Sequence, residues 1–197
     1  ISGHIVIKPS GVDYDVMKAE DMVVVSIDGK IIEGNLNPSS DLDTHLEIYR
    51  HHPEIGGIVH THATFSVAYA QAGKVLTAYG TTHADYFYGD VPCTRALKKD
   101  EVESDYELNT GKVINETIGT DALKIPGVLV KNHGPFTFGK DASQAVYHAV
   151  VLEEIAKMNY LTETIDPNAK RVDQFLLDKH YHRKHGKNAY YGQGGKQ

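Results

Sequence analysis

Two short apolar runs, each closing on histidine, constrain this chain more than any other feature. Gly56-Gly57-Ile58-Val59 leads into His60-Thr61-His62, and Gly127-Val128-Leu129-Val130-Lys131 leads into Asn132-His133-Gly134. Runs this short, bounded by glycine, read as buried strands. Residues two apart on a strand share a face, so one strand end can turn His60 and His62 to a single cation while the other supplies His133. Three neutral nitrogens with one position open describe a catalytic metal centre better than a closed structural one. A His-x-His pair by itself is more often a surface or hydrogen-bonded pair, and 12 histidines make chance pairs easy to find. His83, in a loop between the other candidates, is a rival ligand ranked below His133. His45, His51, His52, His148, His182 and His185 read as structural or solvated.

The 197 residues, 41% hydrophobic and 23% charged, suffice for a substantial core and read as one domain over 1–191 followed by a mobile tail at 192–197. No apolar stretch is long enough to cross a bilayer, and Ile1-Ser2-Gly3-His4 is no signal peptide. A cytoplasmic location is therefore expected, without membrane attachment. The single cysteine, Cys93, excludes an internal disulfide and is expected to pack. A net charge of −6 argues against nucleic acid as a partner. One local exception is the block from Lys179 to Lys187, basic enough to neutralise a phosphate ester but equally readable as a solvated helix end.

The pattern alternates. Strands are expected at residues 5–8, 22–27 and 30–33, with Asp28-Gly29 as a hairpin turn between the last two. Pro38-Ser39-Ser40 caps a helix through about Arg50. Further helices are expected from Thr64 to Gln71, Tyr106 to Thr117, Ala142 to Leu161, and from Asp166-Pro167 into the basic block. Ala145, Ala149, Leu152 and Ala156 form the apolar stripe of the 142–161 helix, opposite Gln144, Glu153, Glu154 and Lys157. Residues 80–89 read as loop, and 135–139 as hairpin partner of the Gly127 strand. The whole is an α/β chain in which helices cover a mostly β centre.

Lys8-Pro9-Ser10-Gly11, Pro38-Ser39-Ser40-Asp41, His60-Thr61-His62, Gly80-Thr81-Thr82-His83-Ala84-Asp85-Tyr86 and Asn132-His133-Gly134-Pro135-Phe136 follow one another here. In that order they resemble the class II aldolase and adducin family, within which the chain is most similar to epimerases of pentulose 5-phosphates. The resemblance runs essentially from Ile5 to Gln193. It implies a three-layer single-domain fold with a mostly antiparallel central sheet. It also implies a Zn2+ ion, replaceable by Mn2+ or Co2+, held by Asp41, His60, His62 and His133. Asp85 and Tyr191 fall on the acid/base positions, Tyr191 serving an adjacent subunit. Lys8, Ser10, Gly11, Ser39 and Ser40 fall on substrate-binding positions, and His180 and Arg183 on residues that reach a neighbouring subunit's phosphate region. A homotetramer with interfacial active sites acting on a phosphorylated ketopentose is the implied assembly. Family members carry an upstream helix and strand with a Gly-Asn pair, which the sequence begins after.

The implied chemistry is consistent on its own terms. A carbonyl at C2 of a ketose acidifies hydrogens at C1 and C3 but not at C4, so inverting C4 requires breaking the C3–C4 bond. Retro-aldol cleavage, rotation of the aldehyde and re-addition accomplish this, with a dication stabilising the developing negative charge. The C4 oxygen then gains and loses its proton on different sides, so two acid/base groups are needed. Related L-fuculose-1-phosphate aldolases place a glutamate where Asp41 stands, and the shorter arm disfavours permanent cleavage. An aldolase of that type remains the alternative, and a non-catalytic adducin-like scaffold a weaker one. A dehydrogenase is poorer still, for want of a Gly-rich dinucleotide loop.

Overall fold

Strands form where the β-branched runs predict them, within a residue or two at each end. The computed structural model describes residues 3–187 and 189–192, so the tail expected at 192–197 lies, from 193 on, outside the described residues. The chain divides into two compact units, one running through Pro53 and including Leu97–Glu116, the other Glu54–Ala96 with everything from Thr117 onward.

In the first unit, β1 (His4–Ile7), β2 (Val23–Ser26) and β3 (Ile31–Glu33) form an antiparallel sheet in that order. The β2–β3 turn closes with the Ser26 N–H on the Lys30 carbonyl at 2.9 Å, and Gly29 takes the left-handed backbone (φ 82°) that a hairpin favours. Ile7, Val23, Val25 and Leu46 make the core beneath it. Helix α1 (Leu42–His51) begins later than the serines suggest, with Asp41 at the cap position. Ser39 instead supplies its carbonyl to the Leu42 N–H at 3.0 Å. Helices α4 (Lys99–Glu103), which the sequence reading missed, and α5 (Tyr106–Ile118) follow. Gly111 lets α5 approach α1 closely: a Cβ there would lie 2.6 Å from the Glu47 Cβ.

In the second unit, β4 (Gly57–His60), β5 (Gly127–Val130) and β6 (Gly134–Gly139) form an antiparallel sheet in the order β4-β6-β5. Helices α2 (Thr64–Ala72) and α6 (Ala142–Ile165) pack against it. The core gathers Tyr69, Leu76, Phe87, Val91, Leu129, Leu152 and Ile155, with Cys93 packed at its edge as expected. Burial pushes the Cys93 thiol pKa up, as befits a packing residue. Two expectations are corrected here. The 80–89 stretch contains a single helical turn, α3 (Thr81–Ala84). The last helix, α7 (Gln174–Lys184), starts well after Asp166. The Asp166 carboxylate accepts the Asn168 N–H at 2.9 Å, a local turn that competes with helix, and the Val172 N–H is tied to the Ala78 carbonyl at 2.8 Å.

The α/β class with antiparallel strands and covering helices is thus the one observed, its strands divided between two three-stranded sheets. Among the described residues no helix is long and apolar enough to cross a membrane.

Candidate metal centre and its neighbours

Strand order brings the three histidines to one end of the second sheet. His60 closes β4 opposite Phe136 on β6, and His133 sits in the short loop that joins β5 to β6, where Val130 pairs with Gly134. The loop turns on Asn132, which holds φ 65°, a left-handed conformation asparagine tolerates better than most residues. The His133 N–H returns to the Val130 carbonyl at 3.0 Å, and the Asn132 N–H is held by the Ala70 carbonyl at 3.0 Å. A Cβ at Gly134 would stand 2.9 Å from the Thr61 carbonyl and 3.5 Å from the His60 Cε1, so only glycine lets the loop sit against the His60-Thr61-His62 backbone.

One nitrogen from each of His60, His62 and His133 lies within 4.8 Å of the other two. His60 Nδ1 donates to the Pro135 carbonyl at 2.9 Å, leaving Nε2 as the lone-pair nitrogen. That Nε2 stands 3.1 Å from His62 Nε2. Zinc–nitrogen bonds of about 2.0 Å at the tetrahedral angle separate two ligand nitrogens by about 3.3 Å, so the pair already has the right bite. His60 stacks on Phe136 with centroids 4.2 Å apart and 13° between planes, which fixes the ring. His62 is exposed, keeping one side of the cluster open to solvent. The donor set, three imidazoles with an outward side, fits a borderline divalent ion such as zinc. His83 takes no part in the cluster: it is buried, and its Nε2 bonds the Gly89 carbonyl at 2.7 Å.

Asp41 and the expected substrate-binding residues belong to the first unit. There the Lys8–Gly11 and Asn37–Ser40 loops are cross-tied. Pro9 bridges Pro38, the Ser10 N–H donates to the Asn37 carbonyl and the Ser39 N–H to the Lys8 carbonyl, both at 2.9 Å. Lys8, Ser10, Gly11, Ser39 and Ser40 are thereby gathered from two distant segments.

Asp85 ends the α3 turn and is surrounded by cations of α7. Arg183 forks onto both carboxylate oxygens at 2.8–3.1 Å, His180 Nδ1 lies at 3.0 Å and the Lys184 ammonium at 3.2 Å. Burial alone would push the carboxyl pKa up, but the hydrogen bonds from Arg183, His180 and Lys184 outweigh it and hold it below the ordinary carboxylate range. The anion neutralised by the basic block is thus, within one chain, a carboxylate. Tyr191, exposed, lies against the same cations, its ring 4.9 Å from the Arg183 guanidinium carbon and 4.6 Å from the Lys184 ammonium. Sequence reasoning missed Lys184, Tyr86 and Tyr147. The Tyr86 hydroxyl sits 2.8 Å from that of Tyr147 and accepts from Lys184 at 3.1 Å. The basic 179–187 block was the signal for Lys184, and Tyr86 stood at the end of the Gly80–Tyr86 motif, but nothing marked Tyr147 as its partner.

Fold and donor set together define a class: an antiparallel α/β protein able to hold a divalent cation at an open strand end. The chain belongs to the Class II Aldolase and Adducin N-terminal domain family, whose model matches residues 2–160. Among solved structures, an L-fuculose 1-phosphate aldolase superposes with a TM-score of 0.75 at 24% identity, over 90% of this chain and 78% of that one. An L-fuculose 1-phosphate aldolase from Glaciozyma antarctica PI12 gives 0.72 at 23%, over 95% and 70%. YgbL from Klebsiella pneumoniae, a candidate aldolase, epimerase or decarboxylase, gives 0.70 at 21%, over 90% and 81%. At these identities the likeness speaks for the fold.

Proposed function

We propose that this protein is a zinc-dependent L-ribulose-5-phosphate 4-epimerase, interconverting L-ribulose 5-phosphate and D-xylulose 5-phosphate by cleavage and re-addition at the C3–C4 bond. The observation that carries the reading is the convergence of His60, His62 and His133 within 4.8 Å on the open end of a sheet. With Asp41 as a fourth ligand these side chains would hold the ion, which supplies Lewis acidity toward the oxygens of a ketose. Lys8, Ser10, Gly11, Ser39 and Ser40 would seat the phosphate, using backbone amides and hydroxyls of the two cross-tied loops, the second of which leads into α1.

Proton transfer falls to Asp85 and Tyr191. Asp85, a carboxylate held by Arg183, His180 and Lys184, would take the C4 hydroxyl proton on one face. Tyr191, a phenol beside two cations, returns a proton to the opposite face of the rotated aldehyde. Within one chain Arg183 contacts both residues, while the Tyr191 that completes each site would come from an adjacent subunit. His180 and Arg183 would complete the phosphate region across a subunit interface of a cytoplasmic homotetramer serving pentose breakdown, arabinose included.

Incubation with L-ribulose 5-phosphate and zinc, with every sugar phosphate identified, is the direct test. D-Xylulose 5-phosphate should dominate, and Asp85→Asn and Tyr191→Phe should each slow its formation. A His60→Ala/His62→Ala double variant should purify without metal. The alternative, an aldolase of the L-fuculose-1-phosphate type, draws support from the names of two similar structures. Steady release of free glycolaldehyde phosphate without xylulose 5-phosphate would establish it instead.

A further inference from the structure

A cavity of about 520 Å³ opens at the other end of β6 from the histidine cluster. Gly134 begins that strand beside His60, and Lys140 follows its last residue, so the two ends stand roughly 20 Å apart at the usual rise. Gln144 and His148, four residues apart on one face of the α6 start, form one wall together with Lys140, which precedes the helix cap. The last turn of α7 supplies Lys184 and His185, and Lys124 comes from the loop before β5. Lys124, Lys140 and Asp121 thus line the cavity with two ammonium groups and one carboxylate, while the Lys184 ammonium is already paired with Asp85 at 3.2 Å.

Three side chains in these walls each spend one polar atom on the fold and keep another. His148, buried, donates Nδ1–H to the Phe138 carbonyl at 2.6 Å, which leaves Nε2. His185 donates Nε2–H to the Asp85 carbonyl at 2.9 Å, which leaves Nδ1. Gln144 accepts the Lys140 N–H with Oε1 at 2.8 Å, which leaves its NH2 group as donor. Burial, partly offset by the bond to Phe138 and reinforced by nearby His185, pushes the His148 pKa down, so its Nε2 is an acceptor at neutral pH.

We propose that this cavity is a second, separate binding site for a small phosphate-type oxyanion, such as inorganic phosphate or a phosphate monoester. The Lys124 and Lys140 ammonium groups and the Gln144 amide bind the charged oxygens, and the His148 Nε2 accepts the proton that a phosphate group, unlike sulfate, still carries near pH 6–7. This site is independent of the metal-centre reading.

The test is titration of inorganic phosphate into the full chain, read on the ring resonances of His148 and His185 by NMR. Saturable shifts of both are expected, with sulfate binding more weakly. Lys124→Ala/Lys140→Ala, at two exposed positions, should weaken phosphate binding by about tenfold or more, while zinc uptake at the histidine cluster stays unchanged. Ser10→Ala/Ser39→Ala should leave the His148 response intact, which separates this cavity from the expected substrate seat. Rings that do not respond, a response equal in the lysine variant, or sulfate binding as tightly as phosphate overturns the proposal.

Discussion

A single carboxylate carries the largest identifiable electrostatic commitment in the second unit. Asp85 is mostly buried, and its charge is matched by a bidentate guanidinium, an imidazole and an ammonium. A buried charge so paired stabilises little by its presence but costs much when one partner is removed, because the others are left uncompensated. Asp85→Asn is therefore expected to destabilise the protein by roughly 3 kcal/mol near pH 7. The folded pKa lies below that of the unfolded chain, so the ionised group's contribution is complete above the unfolded value of about 3.9 and disappears as pH falls through the lowered one. Denaturant melts from pH 7 down to pH 3 should show the gap between wild type and variant closing only in acid. A gap that stays constant across that range would mean Asp85 contributes nothing through its charge. The sequence marked Asp85 for its role by resemblance, yet only its surroundings reveal how firmly it is held.

At the scale of elements, two contacts determine where the histidines stand. The loop from β5 to β6 is pressed against the His60-Thr61-His62 backbone with room for a hydrogen and no more at Gly134. Gly134→Ala should push the Thr61 carbonyl outward by a few tenths of an ångström, lowering zinc affinity by about tenfold with a smaller change in melting temperature; competition with a fluorescent chelator would measure it. The second contact fixes the chain just beyond His62. Helix α2 has Ala63 at its cap and so no capping side chain of its own. Glu153 reaches over from α6 to accept the Phe65 and Ser66 N–H groups at 2.8 and 2.9 Å and the Ser66 hydroxyl at 2.7 Å. Helical periodicity assigned Glu153 to the polar face of α6, and the structure instead gives it the work of a distant cap. Glu153→Gln keeps the shape but loses the charge at a helix N-terminus, and about 1–2 kcal/mol of stability should go with it in denaturant titration. An unchanged midpoint would show that the cap is neutral in effect.

For the whole molecule, the core of the second unit rests on apolar packing: Leu76, Phe87, Leu129 and Leu152 are fully buried among one another and their apolar neighbours. Chelation should accordingly abolish turnover while leaving a cooperative melt, and added zinc should raise the melting temperature in proportion to the logarithm of its free concentration. Collapse of the fold on chelation would make the ion structural. Short strands, hairpin turns and the long α6 stripe were legible in the chain because each is a local pattern: a β-branched run ended by a turn for β2, apolar residues three to four apart for α6. The histidine strand ends were legible for the same reason, since alternate residues on one strand must share a side. Helix starts were less so, because Ser39 against Asp41 at α1, or Asp166 against Asp173 at α7, depends on which backbone N–H a side chain actually meets. Sequence by itself thus determined the donor chemistry, the α/β class and the family motifs. Tertiary structure alone decided that His133 crosses β6 to meet the other two, that α7 folds its cations onto Asp85, and that Lys140, His148 and His185 surround one cavity. Each of those meetings joins residues far apart in the chain, and their approach follows from sheet order and helix packing, which no local pattern encodes.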